Sequence, residues 1–438
     1  MRKYLSIIFS FLLLVSTCFY LYYLAPYNLD SVWNYGFGYN ILHGLRPYLD
    51  FNMVITPLFP IILGAFMGVI GDNFIAYHIF VSLILLMIFL VCYKMIGYKA
   101  IFVYMVMLIY PYNGYNTFLV LLMFLLLYFL DRDNNEIIIG IIIVLMFLTK
   151  QTFIMMAIPF LYYAKRRKRM FALIMLSVFV LLLYLVSYEG LYKFIDYCFL
   201  GLFDFGSKNN VGLSYLTVVE IFICCWLLFM FIKTKDRQLI YILLFQIIDF
   251  PIVDSSHFVL GVSPVIYYLY KKVNFCGAFL ISIIVFFGFL GSFVSVISPK
   301  SNQYDGIYDY GNSKFLYKRM PNYMREYFSL VKNVYKEYSG YRVFLLDSRA
   351  YMAKLELGLK ISKYDLINDG NMGYGGSYKY IKEISDYCLN NNCVFVVNNE
   401  EVSKEIGQTS KEIVSYISSH YELISSSNLN NLYVNKKR

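Results

Sequence analysis

The sequence predicts a polytopic α-helical membrane protein that ends in a small α/β domain. Of its 438 residues, 59% are hydrophobic and only 15% are charged, whereas soluble globular chains carry about 25% charged residues. Apolar runs of roughly 20 residues, the length that spans a bilayer as a helix, recur along much of the chain. After about residue 298 charged residues, Asn and Ser become frequent and these runs stop. We therefore expect an all-α transmembrane domain over residues 1–298 and an α/β domain over residues 299–438.

The first apolar segment, residues 4–24, follows Arg2 and Lys3. A secretory signal peptide is the alternative interpretation. The run is long, however, it lacks a small-x-small cleavage site, and Pro26 follows it directly. We interpret it as a retained transmembrane helix with its N-terminus inside the cell.

A polar and aromatic loop, residues 25–56, comes next. Residues 31–43 carry apolar and aromatic side chains at helical spacing, which predicts a short helix at the membrane interface, where Trp and Tyr are favoured. Residues 57–70 are apolar but too few to cross a bilayer, which takes about 20. We expect an interfacial or half-inserted helix there, ended by Gly71-Asp72-Asn73.

The distribution of basic residues tests the remaining spans. With the first segment, about eleven are expected, the others being 74–93, 98–110, 113–130, 136–149, 152–164, 170–187, 213–232, 238–250, 256–271 and 275–297. One set of flanking loops contains fifteen basic residues, namely Arg2, Lys3, Lys94, Lys99, Arg132, the KRRKR run 165–169, Lys233, Lys235, Arg237, Lys271 and Lys272. The opposite set contains four, Arg46, Lys150, Lys193 and Lys208. Cytoplasmic loops are enriched in Lys and Arg, so we expect the C-terminal domain outside. Topology then explains the net charge of +10, and no nucleic-acid partner is expected.

The C-terminal domain shows alternating short strands and amphipathic helices. Strands are expected at 341–348 and 393–399, helices at 377–391 and 408–420, and a closing hairpin at 422–435. Cys388 and Cys393 are the cysteine pair that lies in polar sequence. They could form a disulfide if the domain is exported, but free thiols are an equal alternative. A second outer loop, aromatic and amphipathic, is expected at 188–212.

Asp30 is the first candidate for chemistry, because it follows the apolar end of the first helix by six residues. A solvated flanking carboxylate is the alternative. The predicted outer loops hold few charges, and Asp30 shares them with Arg46, Asp50 and Lys150.

Lys150 lies in the sequence Thr-Lys-Gln-Thr between the apolar runs 137–148 and 153–164. Each run gives about 18 Å of helix, too short to span alone, so we expect a turn below the outer membrane surface. A lysine at that depth usually faces a cavity or a partner. The alternative is one kinked helix of about 42 Å with Lys150 paired inside it.

Asp249, Asp254 and His257 cluster between two predicted helices on the outer side. His257 is either a structural histidine or a donor to a phosphate or a sugar hydroxyl. The spacing matches no established metal site, so we assign no metal and no cofactor, although a divalent ion remains open.

These groups suit sugar transfer from a polyprenyl phosphate. A positioned carboxylate can act as base for the acceptor hydroxyl. Cationic and hydrogen-bonding groups can stabilise the charge that grows on the leaving phosphate. Asp30 would be the base, and Lys150, Arg46 and His257 would serve the phosphate.

Several short segments occur in a recognisable order: Asp30, then Gly44–Phe51 (GLRPYLDF), then Thr56–Pro60 (TPLFP), the Lys150 turn, and the Asp254-Ser-Ser-His257 segment before Pro264. This order resembles the GT-C superfamily, which includes protein O-mannosyltransferases and lipid A aminoarabinose transferases. The resemblance implies that Asp30 is the catalytic carboxylate. It also implies substrate-binding positions at Arg46, Tyr48, Asp50, Lys150, Gln151, Asp254 and His257.

Two positions depart from the family pattern. Ser31 follows Asp30 where the mannosyltransferases carry a second acidic residue, so a helper carboxylate must come from elsewhere, for example Asp50. Thr56 replaces the first of two adjacent prolines.

The expected function is an inverting glycosyltransferase of the bacterial cytoplasmic membrane. It would use a polyprenyl-phosphate-linked sugar and an extracytoplasmic glycan, lipid or protein acceptor of the cell envelope. A transporter or flippase of lipid-linked saccharides is the main alternative, but charges spread along the bundle and an internal repeat are missing from the sequence. A polysaccharide polymerase or ligase ranks third, because the predicted outer loops lack paired arginines.

Overall fold

The computed structural model describes most of the chain. The described residues are 2–24, 29–109, 114–132, 135–201, 203, 215–247, 255–272, 304–307, 314–315, 319–346, 349–359, 361, 373–398, 410–427 and 430–435. The predicted span at 275–297 lies outside them.

The described residues up to 272 are mostly helical. The helices are α1 (Arg2–Phe19), α2 (Leu29–Leu42), α3 (Leu58–Ile70), α4 (Phe74–Ile96), α5 (Ala100–Ile109), α6 (Gly114–Arg132), α7 (Glu136–Thr149), α8 (Ala157–Tyr163), α9 (Arg167–Val186), α10 (Leu191–Ile195), α11 (Tyr215–Thr234), α12 (Arg237–Ile247) and α13 (Ser255–Lys272).

Four helical stretches in the described part are long and apolar enough to cross a membrane: Phe74–Leu108, Gly114–Arg132, Arg167–Val186 and Tyr215–Thr234. Shorter apolar helices accompany them at Ile8–Tyr22, Leu58–Ile70, Glu136–Thr149, Gln151–Tyr163 and Arg237–Ile247. These lengths establish a helical membrane protein, while the expected number of about eleven spans stays a prediction.

The loop before α4 contains two helices, as the sequence predicts. Helix α2 covers most of the expected interfacial helix at 31–43, and α3 covers 57–70. The two helices pack closely, because Gly64 of α3 has no side chain. A β-carbon there would lie 2.9 Å from the backbone oxygen of Gly38 in α2.

Helices α7 and α8 form a hairpin with Lys150 at its tip. Helix α7 ends at Thr149, Lys150 is extended at φ −149° and ψ 123°, and a 3₁₀ turn, Gln151–Met156, leads into α8. The start of α7 and the end of α8 lie together, because the Glu136 carboxylate accepts hydrogen bonds from the backbone N–H groups of Lys165 (2.6 Å) and Arg166 (3.2 Å). One continuous kinked helix is therefore wrong, because it would place these ends far apart.

Residues from the predicted basic loops lie together at one end of the helical bundle. Arg132 donates to the backbone oxygen of Lys94 over 3.2 Å. Lys271 forms an ion pair of 2.5 Å with Asp131. The ends of α4, α6 and α13 therefore lie together, as the grouping of basic residues predicts.

The C-terminal part contains a four-stranded sheet and flanking helices. The elements are β1 (Tyr304–Ile307), β2 (Arg319–Pro321), α14 (Asn322–Glu337), β3 (Arg342–Leu346), α15 (Ala350–Glu356), α16 (Gly376–Cys388), β4 (Cys393–Asn398), α17 (Lys411–His420), β5 (Glu422–Ser426) and β6 (Asn430–Val434). The sheet order is β3-β4-β6-β5, with β3 parallel to β4 and the other pairs antiparallel. The strands, helices and hairpin fall where periodicity predicts them, and Cys388 and Cys393 form a disulfide.

One apolar core joins the two parts of the chain. Phe315 and Tyr327 of the C-terminal part belong to the same buried cluster as Tyr35 and Phe74. The ring of Phe315 lies 4.9 Å from the ring of Phe74 and 5.6 Å from that of Tyr35. The C-terminal part therefore packs directly onto α2, the helix that carries Asp30.

Candidate active site

Asp30 lies in the first turn of α2 and is partly buried. The positive end of the helix dipole favours a carboxylate at such a position. Neighbouring Ser31 is buried and hydrogen-bonds the Tyr77 hydroxyl of α4, which also interacts electrostatically with Asp30. The carboxylate is therefore partly buried next to α4, and its catalytic role stays a prediction.

The start of α6 brings the three predicted sites together. The Tyr115 N–H faces Asn34 Oδ1 at 3.4 Å, and the Asn34 amide donates to the backbone oxygen of Asp30 over 2.8 Å. The Tyr115 ring centre lies 6.0 Å from Lys150 Nζ. Next in sequence, Asn116 Nδ2 lies 3.4 Å from His257 Nε2. Tyr115 and Asn116 of α6 therefore contact α2, α13 and the tip of the α7–α8 hairpin.

Gly114 makes this close approach possible. A β-carbon at this position would lie 2.8 Å from the Phe59 ring and 2.9 Å from the Tyr77 hydroxyl. Real Cβ atoms do not approach other heavy atoms so closely, so any larger residue would push α6 away from α3 and α4.

Arg46 and Asp50 pair with each other at the protein surface. Arg46 Nε lies 3.0 Å and Nη2 3.1 Å from the two Asp50 carboxylate oxygens. This hydrogen bonding, together with the charge of Asp50, raises the pKa of Arg46 above its ordinary value. Both residues are predicted to bind substrate, and in the structure their side chains form hydrogen bonds with each other.

Tyr48 shapes the loop from the inside. Its side chain is buried, it adopts a left-handed φ of +68°, and its hydroxyl donates to the backbone oxygen of Ile55 over 2.7 Å. Burial raises the pKa of Tyr48 well above its ordinary value. Its predicted contact with substrate is not visible in this arrangement.

Gln151 ties the hairpin tip to two neighbouring segments. Its side-chain N–H₂ group donates to the backbone oxygens of Val54 (3.0 Å) and Cys198 (2.8 Å). Thr56 adds a hydrogen bond of 2.9 Å to the backbone oxygen of Phe147. The loop 51–56 is therefore fixed against the turn that carries Lys150.

An apolar groove of about 370 Å³ opens beside this turn, between α3, α7 and α9. Its walls are Pro57, Leu58, Ile61, Leu148, Leu173, Leu176, Ser177, Val180, Leu181 and Tyr184. Pro57 directly follows the fixed loop, and Leu148 precedes Lys150 by two residues. The groove therefore lies next to the segments that flank Lys150.

Asp249 and Asp254 lie outside the described residues. Among the residues that are described, no group of three His, Cys, Asp or Glu side chains could hold a metal ion.

Sequence reasoning missed Asn34, Asn116 and Glu220. Asn34 was visible in principle, since it is one helical turn after Asp30. Glu220 was also visible, because it is a carboxylate inside a predicted span, where charge is costly and usually functional. It is 1% exposed in α11. No sequence pattern indicated Asn116, because its contact with His257 joins residues far apart in the chain.

The chain is similar to two solved structures. ArnT from Cupriavidus metallidurans, in its apo state, aligns with 100% of this chain and 99% of its own, with a TM-score of 0.52 and 9% sequence identity. The Archaeoglobus fulgidus oligosaccharyltransferase, in complex with zinc and sulfate, aligns with 94% of this chain and 71% of its own, with a TM-score of 0.45 and 10% identity. No family model and no curated protein matches the sequence.

Helix order, hairpin and C-terminal sheet define a helical membrane protein with an appended α/β region. The likeness to ArnT over both whole chains shows that this chain shares the fold of that structure. The resemblance drawn from the sequence is confirmed at this level.

Proposed function

We propose that the protein is an inverting glycosyltransferase that takes its sugar from a polyprenyl phosphate. The observation that carries this proposal is that Lys150, His257 and Asn34, which hydrogen-bonds the Asp30 backbone, all approach Tyr115 and Asn116. A carboxylate, an ammonium group and an imidazole are the groups that such a transfer uses. The GT-C fold supports the same class of reaction.

The reaction divides between these groups. The Asp30 carboxylate accepts the proton of the acceptor hydroxyl as its oxygen bonds to the anomeric carbon. The bond from that carbon to the phosphate oxygen breaks on the opposite face, which inverts the configuration. Lys150 and His257 stabilise the negative charge that remains on the polyprenyl phosphate.

The groove beside Lys150 would hold the polyprenyl chain, since its walls are almost entirely hydrocarbon. Residues Arg46, Tyr48, Asp50 and Gln151 keep the loop above it in place. The site would open outside the cytoplasmic membrane of a bacterium, with the N-terminus inside. The acceptor would be a glycan, lipid or protein of the cell envelope.

The test is Asp30→Asn, assayed with radiolabelled polyprenyl-phosphate sugars in membranes. We expect transfer to fall at least 100-fold, the scale of a lost general base, while membrane insertion stays intact. Asp131→Asn is the matched control at the opposite end of the bundle and should transfer normally. Full transfer by the Asp30 variant would remove the proposed base, and flipping of the lipid without transfer would favour the transporter.

A further inference from the structure

Three buried polar atoms beside Asp30 and Lys150 lack hydrogen-bond partners among the described residues. They are Trp33 Nε1, Asn52 Oδ1 and Gln151 Oε1. Asn52 is 5% exposed and Gln151 is 3% exposed, so bulk water does not satisfy them. Buried polar groups in folded proteins are almost always paired, and exceptions often mark a missing ligand or water.

The orientation of the Gln151 amide is set by its surroundings. Its nitrogen donates to two carbonyl oxygens, those of Val54 and Cys198. Turning the amide over would set its own oxygen against both of these acceptors, which is repulsive. The Gln151 oxygen therefore points away from them and stays available as an acceptor.

The three residues lie on segments that contact one another. Trp33 follows Asp30 by three residues on α2, so the two side chains are neighbours on that helix. Phe37, one turn further, stacks on Phe51 at 6.0 Å between ring centres. Asn52 comes directly after Phe51, and Val54, two residues later, accepts the hydrogen bond from Gln151.

The chemistry of the three atoms selects the kind of ligand. An indole N–H only donates, whereas amide oxygens only accept. A metal cation would satisfy the two oxygens but not the N–H, and a phosphate would satisfy the N–H but not the oxygens. Hydroxyl groups both donate and accept, as water does, so the hydroxyls of a sugar ring can replace water at all three atoms.

We propose that Trp33, Asn52 and Gln151 form the subsite that binds the hydroxyl groups of the sugar. This inference rests on the proposed function and names the residues that select its substrate. The Trp33 ring adds an apolar face, which suits the C–H face of a sugar.

Trp33→Phe is the most direct test, because it removes the N–H and keeps an aromatic ring. Trp226→Phe is the matched control, since the chain has two tryptophans and Trp226 lies in α11, away from the site. We expect Trp33→Phe to raise the KM for the sugar substrate about 5- to 30-fold, the effect of one lost hydrogen bond in a binding site. If Trp33→Phe raises the KM for the donor, the subsite holds the donor sugar. If it raises the KM for the acceptor, the subsite holds the acceptor sugar.

The melting temperatures of the variants distinguish a role in sugar binding from a role in folding. Removing an unpaired buried N–H relieves a desolvation cost, which offsets the packing lost with the larger ring, so the ligand-free Trp33→Phe protein should melt within a few degrees of wild type. Asn52→Leu should behave in the same way, and Asn52→Asp, which keeps an acceptor oxygen, should retain more transfer than Asn52→Leu. Lower melting with loss of transfer in proportion to unfolding would overturn the proposal, as would an unchanged KM.

A binding measurement keeps this inference separate from the proposed function. In the Trp226→Phe protein, Trp33 is the remaining tryptophan, and its emission under tryptophan-selective excitation should change on titration with polyprenyl-phosphate sugars but not with bare polyprenyl phosphate. A response without any transfer by wild type would support the subsite and refute the transferase. No response to any sugar lipid, in a protein that does transfer sugar, would refute the subsite alone.

Discussion

The ring of Tyr351 fills the space beside Gly36 where a β-carbon would lie, and the two residues come from opposite ends of the chain. The Tyr351 hydroxyl also accepts a hydrogen bond from Asn40 of the same helix, α2. Helix α2 carries Asp30, so the C-terminal part directly supports the helix of the candidate active site.

Gly36→Ala should destabilise the protein. In an exposed helix this change stabilises by roughly 0.5–1 kcal/mol, but here the new methyl group displaces the Tyr351 ring. We expect a lower melting temperature and faster protease cleavage of the C-terminal part. Gly340→Ala, where the methyl group meets open space, is the control, and equal melting of both variants would contradict the packing described.

Asp196 should couple α10 to α16. Its carboxylate is 2% exposed and accepts the Tyr374 N–H (3.0 Å) and the Lys379 ammonium group (3.1 Å). Lys379→Met leaves this buried charge with one partner fewer, which should cost about 1–3 kcal/mol of unfolding free energy. Lys382→Met on the exposed side of the same helix should cost almost nothing.

A double-mutant cycle checks the pairing. Asp196→Asn together with Lys379→Met should cost less than the sum of the single changes, with a coupling of about 0.5–3 kcal/mol. Strict additivity in thermal or denaturant melts would show that the two side chains act independently.

Lys150→Met should reduce transfer about 100-fold or more if Lys150 stabilises the leaving phosphate, because that loss falls on the transition state. Lys150→Arg should retain part of the rate. Lys193 is a suitable comparison, as its Nζ lies 5.9 Å from the Tyr197 ring, much like Lys150 and Tyr115. Lys193→Met should change kcat/KM less than twofold, and similar losses in both variants would argue against a specific role for Lys150.

Cys388 and Cys393 should resist alkylation in protein unfolded without reductant, because they are joined in a disulfide. Cys225, which is exposed and free, should be labelled in the same sample. Mass spectrometry of the alkylated peptides reads out both. Labelling of Cys388 and Cys393 would contradict the disulfide and weaken the proposed outside location, since disulfides persist in oxidising compartments.

Periodicity predicted the elements well because each depends on residues close in sequence. The helices at 31–43 and 57–70 and the strands at 341–348 and 393–399 all appear within a few residues of their expected bounds. The turn at Lys150 was also predictable, since two 12-residue runs cannot each span a bilayer.

The partners of the site residues were not predictable in the same way. Arg46 and Asp50 are four residues apart, yet spacing alone did not show that they satisfy each other. The contact of Asn116 with His257 joins residues 141 positions apart, and it arises only when α6 and α13 pack. The motif predicted that Tyr48 contacts substrate, but the residue has a left-handed backbone conformation and its side chain is buried.

The contact between Asn40 and Tyr351 spans 311 positions of the chain. During synthesis, α2 is therefore complete long before the tyrosine that braces it has been added. A chain released early would carry the Asp30 carboxylate on a helix that lacks its contact with Tyr351, so assembly of the finished protein waits for the last quarter of translation. Premature termination should then yield inert protein rather than a partly working one.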